Sequence, residues 1–282
     1  MNVSRPSLCD LVPVKAVIDV VDIGANPIDE EPPYKVLLDG GRAQVTGFEP
    51  NPEALARLNA MKGGNETYLA DAVYDGSEQE LRVCVSPGMT SLLEPNRATL
   101  SLFHGFPVWG EVEARRPVRT RRLDDIAEIT NMDYLKIDIQ GAELQVFRHG
   151  VARLKDCLVV HTEVEFLPLY EGQPLFSDVE IFLREQGFML HTMSNVNRRA
   201  VQPMMIGGDP RRGLNQLVWA DAVFVRDLTR LDALSPRQLK KLALILHDVY
   251  ASYDLALYVL MAHDARQKSR LALQYAERVA RM

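Results

Sequence analysis

The chain has 282 residues, 47% of them hydrophobic, and a formal net charge of −6. That length suits one large α/β domain with a sizeable core. The acidic balance argues against a broad nucleic-acid surface, and no apolar run approaches the roughly 18 residues of a membrane span.

Cys9, Cys84 and Cys157 are odd in number and far apart, which gives neither a disulfide framework nor a zinc pattern. Residues 1–13 contain no apolar signal core, so a soluble, cytoplasmic protein is expected.

Residues 16–22 are mostly apolar and β-branched and predict a buried strand. It ends in Asp22-Ile23-Gly24-Ala25-Asn26, a strand-to-turn segment whose glycine lets backbone and ligand approach closely. Residues 26–33 are acidic and proline-rich and predict a loop. A short helix over 34–39 is ended by Gly40-Gly41.

The second strand, 44–49, ends in Glu49, a carboxylate able to accept two hydrogen bonds from a ribose diol. Asn51 as N-cap and Pro52 at the first position predict a helix over 52–61. A third strand, 67–70, ends at Asp71, placed to meet an adenine amino group or simply to cap the turn to Ala72. Together these strand ends narrow the ligand to an adenosine compound.

Residues 80–86 alternate like a strand, while 90–122 are hard to read and carry a basic run from Arg115 to Arg122. Residues 134–138 form a strong strand. Lys136-Ile137-Asp138-Ile139-Gln140-Gly141-Ala142-Glu143 turns it into a helix. Asp138 sits where such sheets keep their chemistry; its structural reading is an N-cap, with Glu143 favoured in the first helical turn.

The next strand, 158–162, runs on to Glu163. His161 and Glu163 are two apart and share a face, so a histidine beside a carboxylate is a candidate base. A helix over 178–186 closes at Gly187, a strand over 188–191 follows, and residues 195–213 read as a polar loop with Arg198, Arg199, Arg211 and Arg212. A last strand is expected over 217–225. Both arginine clusters read first as solvated faces and second as attractors of an anionic substrate.

Alternating strands and helices imply a mostly parallel sheet with helices on both faces. After residue 227 the pattern becomes helical, with Leu239, Leu242, Leu246 and Val249 at helical spacing. The expected division is a ligand-binding domain over 1–228 and a helical C-terminal extension over 229–282.

A dinucleotide turn needs more glycines than Gly24 supplies, and no phosphate-binding loop is present. The segment Glu31-Pro32-Pro33-Tyr34 is similar to the signature of amino-group methylases of DNA, but falls after the wrong strand and reads as a rigid loop.

The segments 21–26, 48–52, 135–143 and 163–188, with the turn Gly88-Met89-Thr90-Ser91-Leu92, resemble the FkbM-type family of S-adenosylmethionine-dependent methyltransferases. The resemblance covers residues 17–225 and leaves out the helical tail. It implies a Rossmann-like class I methyltransferase sheet binding S-adenosylmethionine. Asp22, Gly24 and Asn26 would line the methionine end, Glu49 the ribose, and Asp71 and Ala72 the adenine.

The resemblance also places Asp138 at the methyl-transfer mouth; for the base that removes the hydroxyl proton, the residues themselves put Asp138 first, with His161 and Glu163 behind it. O-methylation of a small molecule or sugar follows, with no metal site, no nucleic acid and no membrane partner. The alternative is a non-catalytic binding or assembly protein whose tail docks a partner or a second copy through Leu242, Leu246, Leu257 and Leu260.

Overall fold

The computed structural model describes residues 6–26 and 31–280. Pro27 and residues 28–30, in the loop expected after the glycine turn, lie outside the described residues. The strands are β1 (Ile18–Ile23), β2 (Ala43–Phe48), β3 (Glu66–Leu69), β4 (Ala72–Tyr74) and β5 (Glu78–Cys84). They continue as β6 (Val112–Arg122), β7 (Tyr134–Ile137), β8 (Val159–Glu165), β9 (Phe188–Arg199) and β10 (Gln216–Arg226).

Seven of them form one sheet in the order β3-β2-β1-β7-β8-β10-β9. The first five run parallel, and β10 lies antiparallel to both β8 and β9. The order reverses direction between β1 and β7, so the carboxyl ends of these two strands flank the crevice where such sheets bind ligands. This is the Rossmann-like class I methyltransferase arrangement, mostly parallel, with a helical C-terminal segment.

Local chemistry sets the elements around that crevice. The helix Pro52–Met61 starts where expected, because the Asn51 side chain accepts from the backbone N–H groups of Glu53 and Ala54. It follows Glu49 directly and fixes the direction in which the chain leaves β2. β1, β7 and β8 are central strands, almost wholly buried between the layers that cover both sheet faces.

Two parts differ from expectation. The basic stretch before residue 122 is β6, the central strand of a second sheet in the order β4-β6-β5. The segment 195–199, expected as loop, continues β9 and pairs with β10. Both were obscured by the same physics: β6 and the outer end of β9 keep polar side chains at their many exposed positions, which breaks the apolar signal.

The helical tail is a layer rather than an outlying body. The helices Pro236–Asp248, Tyr253–Gln267 and Leu271–Val279 lie over one sheet face. Leu239, Leu242, Leu246 and Leu260 are fully buried in the same cluster as Ile18, Val20 and Val45. The stripe that partner docking required is thus turned inward, with Leu257 half-buried beside it. No helix among the described residues is long and apolar enough to cross a membrane.

Candidate active site

Asp22, Gly24, Asn26, Glu49, Asp71, Ala72, Asp138, His161 and Glu163 all line one cleft of about 2260 Å³. That is above the roughly 300–1,000 Å³ of a site for one drug-sized ligand, and leaves room for a donor and an acceptor side by side. The cleft runs along the carboxyl edge of the sheet, from β2 across β1 and β7 to β8 and the β9–β10 ribbon.

At the β1 end, Asp22 is almost fully buried and already engaged. Tyr34 donates its hydroxyl to Asp22 Oδ2 at 2.6 Å, and Lys136 Nζ stands 3.4 Å from Oδ1. Lys136 also donates to the Gly24 carbonyl at 3.1 Å. Burial alone would push Lys136 down, but the charges of Asp22 and Asp138 outweigh it and the net shift is upward.

Tyr34, from the loop set aside as a mere rigid turn, is therefore part of the strand-end architecture. Gly24 has φ +78°, and a Cβ there would sit 2.0 Å from the Asp138 carbonyl oxygen. The close approach that demands this glycine comes from the neighbouring strand of the same chain.

Asn26 Oδ1 is buried and has no hydrogen-bond partner among the described residues. Glu49 is 6% exposed and uses Oε1 to accept the Asn51 N–H at 2.7 Å; Oε2 has no such partner among the described residues. Burial raises its carboxyl above the ordinary range. Asp71 is tied to Arg121 Nη1 at 3.1 Å, and that guanidinium also holds Glu128. Ala72 opens β4 beside it.

Across the cleft, Gln140 is the organising residue. Its Nε2 donates to Asp138 Oδ1 at 2.9 Å and to Glu163 Oε2 at 2.8 Å, so one amide holds two carboxylates together. Its Oε1 accepts from the Tyr170 hydroxyl at 3.2 Å, and its carbonyl from Ser91 Oγ at 2.7 Å. Gln140 adopts φ +59°, a left-handed conformation that costs a non-glycine residue about 1 kcal/mol. The surrounding hydrogen bonds hold it there. Burial, then the charges of Asp138 and Glu165, push the Glu163 carboxyl well up, which favours its protonated form.

Sequence reasoning singled out the two carboxylates but not the amide between them. The signal was Gln140 immediately before Gly141, in a turn where positive φ is needed twice.

His161 shares the cleft wall with Glu163, as the strand parity required. Its Nδ1 lies 3.1 Å from the Tyr250 hydroxyl and 3.3 Å from that of Tyr134, and its Nε2 is 3.8 Å from Asp221 Oδ2. Tyr250 belongs to the helical tail, so the tail reaches the back of the cleft.

Glu143 is 3% exposed and accepts the N–H groups of Ile139 at 2.8 Å and Gly141 at 3.2 Å. Burial, against these donors and with Asp138 nearby, pushes it up to about 7. A carboxyl raised on folding stabilises fully below its unfolded pKa, about 4.3, and that contribution is lost as pH rises through 7. Thermal denaturation followed from pH 4.5 to 8 should show a falling midpoint, and Glu143→Gln should flatten the fall. An unchanged slope in the variant would remove Glu143 as its source.

A profile of the methyltransferase FkbM domain matches residues 22–190, more than half of the chain. The 2-O-methyltransferase NoeI of Sinorhizobium fredii (strain NBRC 101917 / NGR234) is 28% identical over 167 residues, which span 55% of this chain and 66% of that protein. Among solved structures, the magnesium protoporphyrin IX methyltransferase of Synechocystis PCC 6803 with bound SAM aligns with a TM-score of 0.37 and 10% identity, over 75% of this chain and 71% of that one. A SAM-dependent methyltransferase from Aquifex aeolicus aligns with a TM-score of 0.33 and 10% identity, over 75% and 84%. The chain belongs to the FkbM methyltransferase domain family.

Proposed function

We propose that this protein transfers a methyl group from S-adenosylmethionine to a hydroxyl of a small molecule, with a sugar as the acceptor. The observation that carries the reading is the convergence of nine sequence-predicted residues on one cleft, with unsatisfied acceptors at its donor end. The similarity to a 2-O-methyltransferase supports oxygen as the receiving atom. The three free cysteines support a cytoplasmic setting.

The residues fit the donor. Asn26 Oδ1, buried without a partner among the described residues, is an acceptor for an ammonium group, and the open Glu49 oxygen for ribose hydroxyls. Asp71 and Ala72 would border the adenine. S-adenosylmethionine, when bound, supplies a methyl group already activated by its sulfonium.

What remains for the protein is alignment and one proton. Alignment is the larger part, because a well-positioned acceptor avoids most of the entropy cost of encounter. Asp138, fixed by Gln140, takes the hydroxyl proton. Glu163 shares the amide, and His161 stands in reserve beside Asp221. The tail's apolar stripe packs on the sheet, so this reading gives it no assembly role.

Titration calorimetry with S-adenosylhomocysteine tests the reading. The wild type is expected to bind, and Glu49→Ala to bind about tenfold or more weakly with an unchanged circular dichroism spectrum. Wild-type protein that does not bind overturns the proposal; equal affinities take Glu49 out of the ribose role.

A further inference from the structure

Two arginines of the first cluster and two of the second have opposite surroundings. On β6, Arg115 contacts Glu80 at 2.9 Å and Glu94 at 2.8 Å, while Arg121 contacts Asp71 at 3.1 Å and Glu128 at 2.9 Å. Those charges are already answered. At the other end of the cleft stand Arg199 and Arg211, and no carboxylate among the described residues lies within 4.0 Å of either guanidinium.

Arg199, the last residue of β9, is carried into the cleft wall. Its guanidinium carbon is 4.6 Å from the Trp219 ring centre and 5.8 Å from that of Phe106. Its Nη1 reaches the Arg198 carbonyl at 2.9 Å and the Asn197 amide oxygen at 3.5 Å. Its Nε is buried and has no partner among the described residues. Arg211 stands over Trp109, 5.9 Å from the ring centre. Burial, then the nearby Arg211 charge, push Arg199 down, against a weaker upward pull from Asp209.

An unanswered buried donor and two neighbouring cations are both costly as they stand. An oxyanion relieves both at once, because a guanidinium fork matches a carboxylate or phosphate edge. Trp109 and Trp219, both half-buried, line the same lobe and offer apolar surface to a sugar ring.

We propose that this lobe binds an oxyanion substituent of the acceptor, which makes the acceptor an acidic sugar, carrying a carboxylate or a phosphate, rather than a neutral one. The word acceptor rests on the methyltransferase reading; the anion site itself does not. The cleft also orients such a molecule. Its β7–β8 end carries the Asp138 carboxylate, which repels the anion and leaves the hydroxyl end of the sugar to face Asp138.

The test is calorimetric titration of the full chain with glucose, glucuronate and glucose 6-phosphate, beside a separate titration with S-adenosylhomocysteine. At least one anionic sugar is expected to bind about tenfold or more tightly than glucose, and the tighter of the two names the anion. Arg199→Gln and Arg211→Gln should each erase that preference while leaving S-adenosylhomocysteine affinity intact. Arg211 is exposed, so its variant reads the site even where Arg199→Gln disturbs the Trp219 packing.

Equal affinity for glucose and both anions, no binding of either anion, or a preference that survives both variants overturns the inference. An anion preference without S-adenosylhomocysteine binding upholds the oxyanion site and brings down the methyltransferase reading alone.

Discussion

Asp138→Asn is expected to slow methyl transfer by about 10²–10⁴-fold, the usual contribution of a positioned general base. The substitution is chosen because it leaves the frame standing. The new side-chain amide keeps an oxygen to accept from Gln140 Nε2, so the 2.9 Å contact and the turn through Gly141 survive. The group that receives the proton is what disappears.

The loss should fall on kcat, with S-adenosylhomocysteine affinity unchanged in calorimetry, because Asp138 is assigned to the acceptor side. Glu163→Gln is the control. Burial favours the protonated form of Glu163, so a neutral amide in its place is a mild change, and a smaller rate loss is expected. If Asp138→Asn turned over at the wild-type rate, the base would have to be sought at His161.

The strand ends that build this cleft were legible because they obey a rule of position. β1, β2 and β7 are short apolar runs, each closed by an acidic residue, and the sheet puts all three closing residues on one edge. The helix Pro52–Met61 was legible to the residue because Asn51 and Pro52 are local signals that need no tertiary context.

What stayed hidden arrives from elsewhere in the chain. Tyr170 on Gln140, Tyr250 on His161, and Arg199 between Trp219 and Phe106 are contacts across long sequence separations, and no local pattern announces them. The β9–β10 ribbon was half hidden for a related reason. Beyond residue 191, Ser194, Asn195, Asn197 and Arg199 line the cleft, so the polar positions that mark a loop in most sequences here mark the wall of a site. The tail was legible as helix but not as a layer, since an amphipathic stripe says only that something covers it.

Lys241→Met should destabilise the fold by about 3–5 kcal/mol at neutral pH, the cost of stranding a buried charge by removing its partner. Lys241 sits in the first helix of the tail and is 4% exposed. Its ammonium donates to Asp19 Oδ2 at 3.0 Å and to Asp133 Oδ2, while Asp133 Oδ2 also accepts the Asp19 N–H at 2.8 Å. One cation thus joins the tail to β1 and to the entry of β7, beneath the crevice.

Burial already holds the Asp133 carboxyl above its ordinary value, against the lowering effect of Lys241. Without the lysine it rises further. A carboxyl raised in the folded state contributes its stability below the unfolded pKa and loses it as pH rises through the folded one. The variant should therefore come closest to the wild type near pH 4 and fall progressively behind towards pH 8, as read from urea midpoints at each pH.

A deficit that is constant with pH would point to lost packing of the lysine stem, and no deficit at all would mean that apolar contacts alone seat the tail. Deletion of residues 235–282 is the harsher form of the same experiment. It bares Ile18, Val20 and Val45 on the sheet face, and the truncated chain is expected to unfold rather than remain as a folded, active domain.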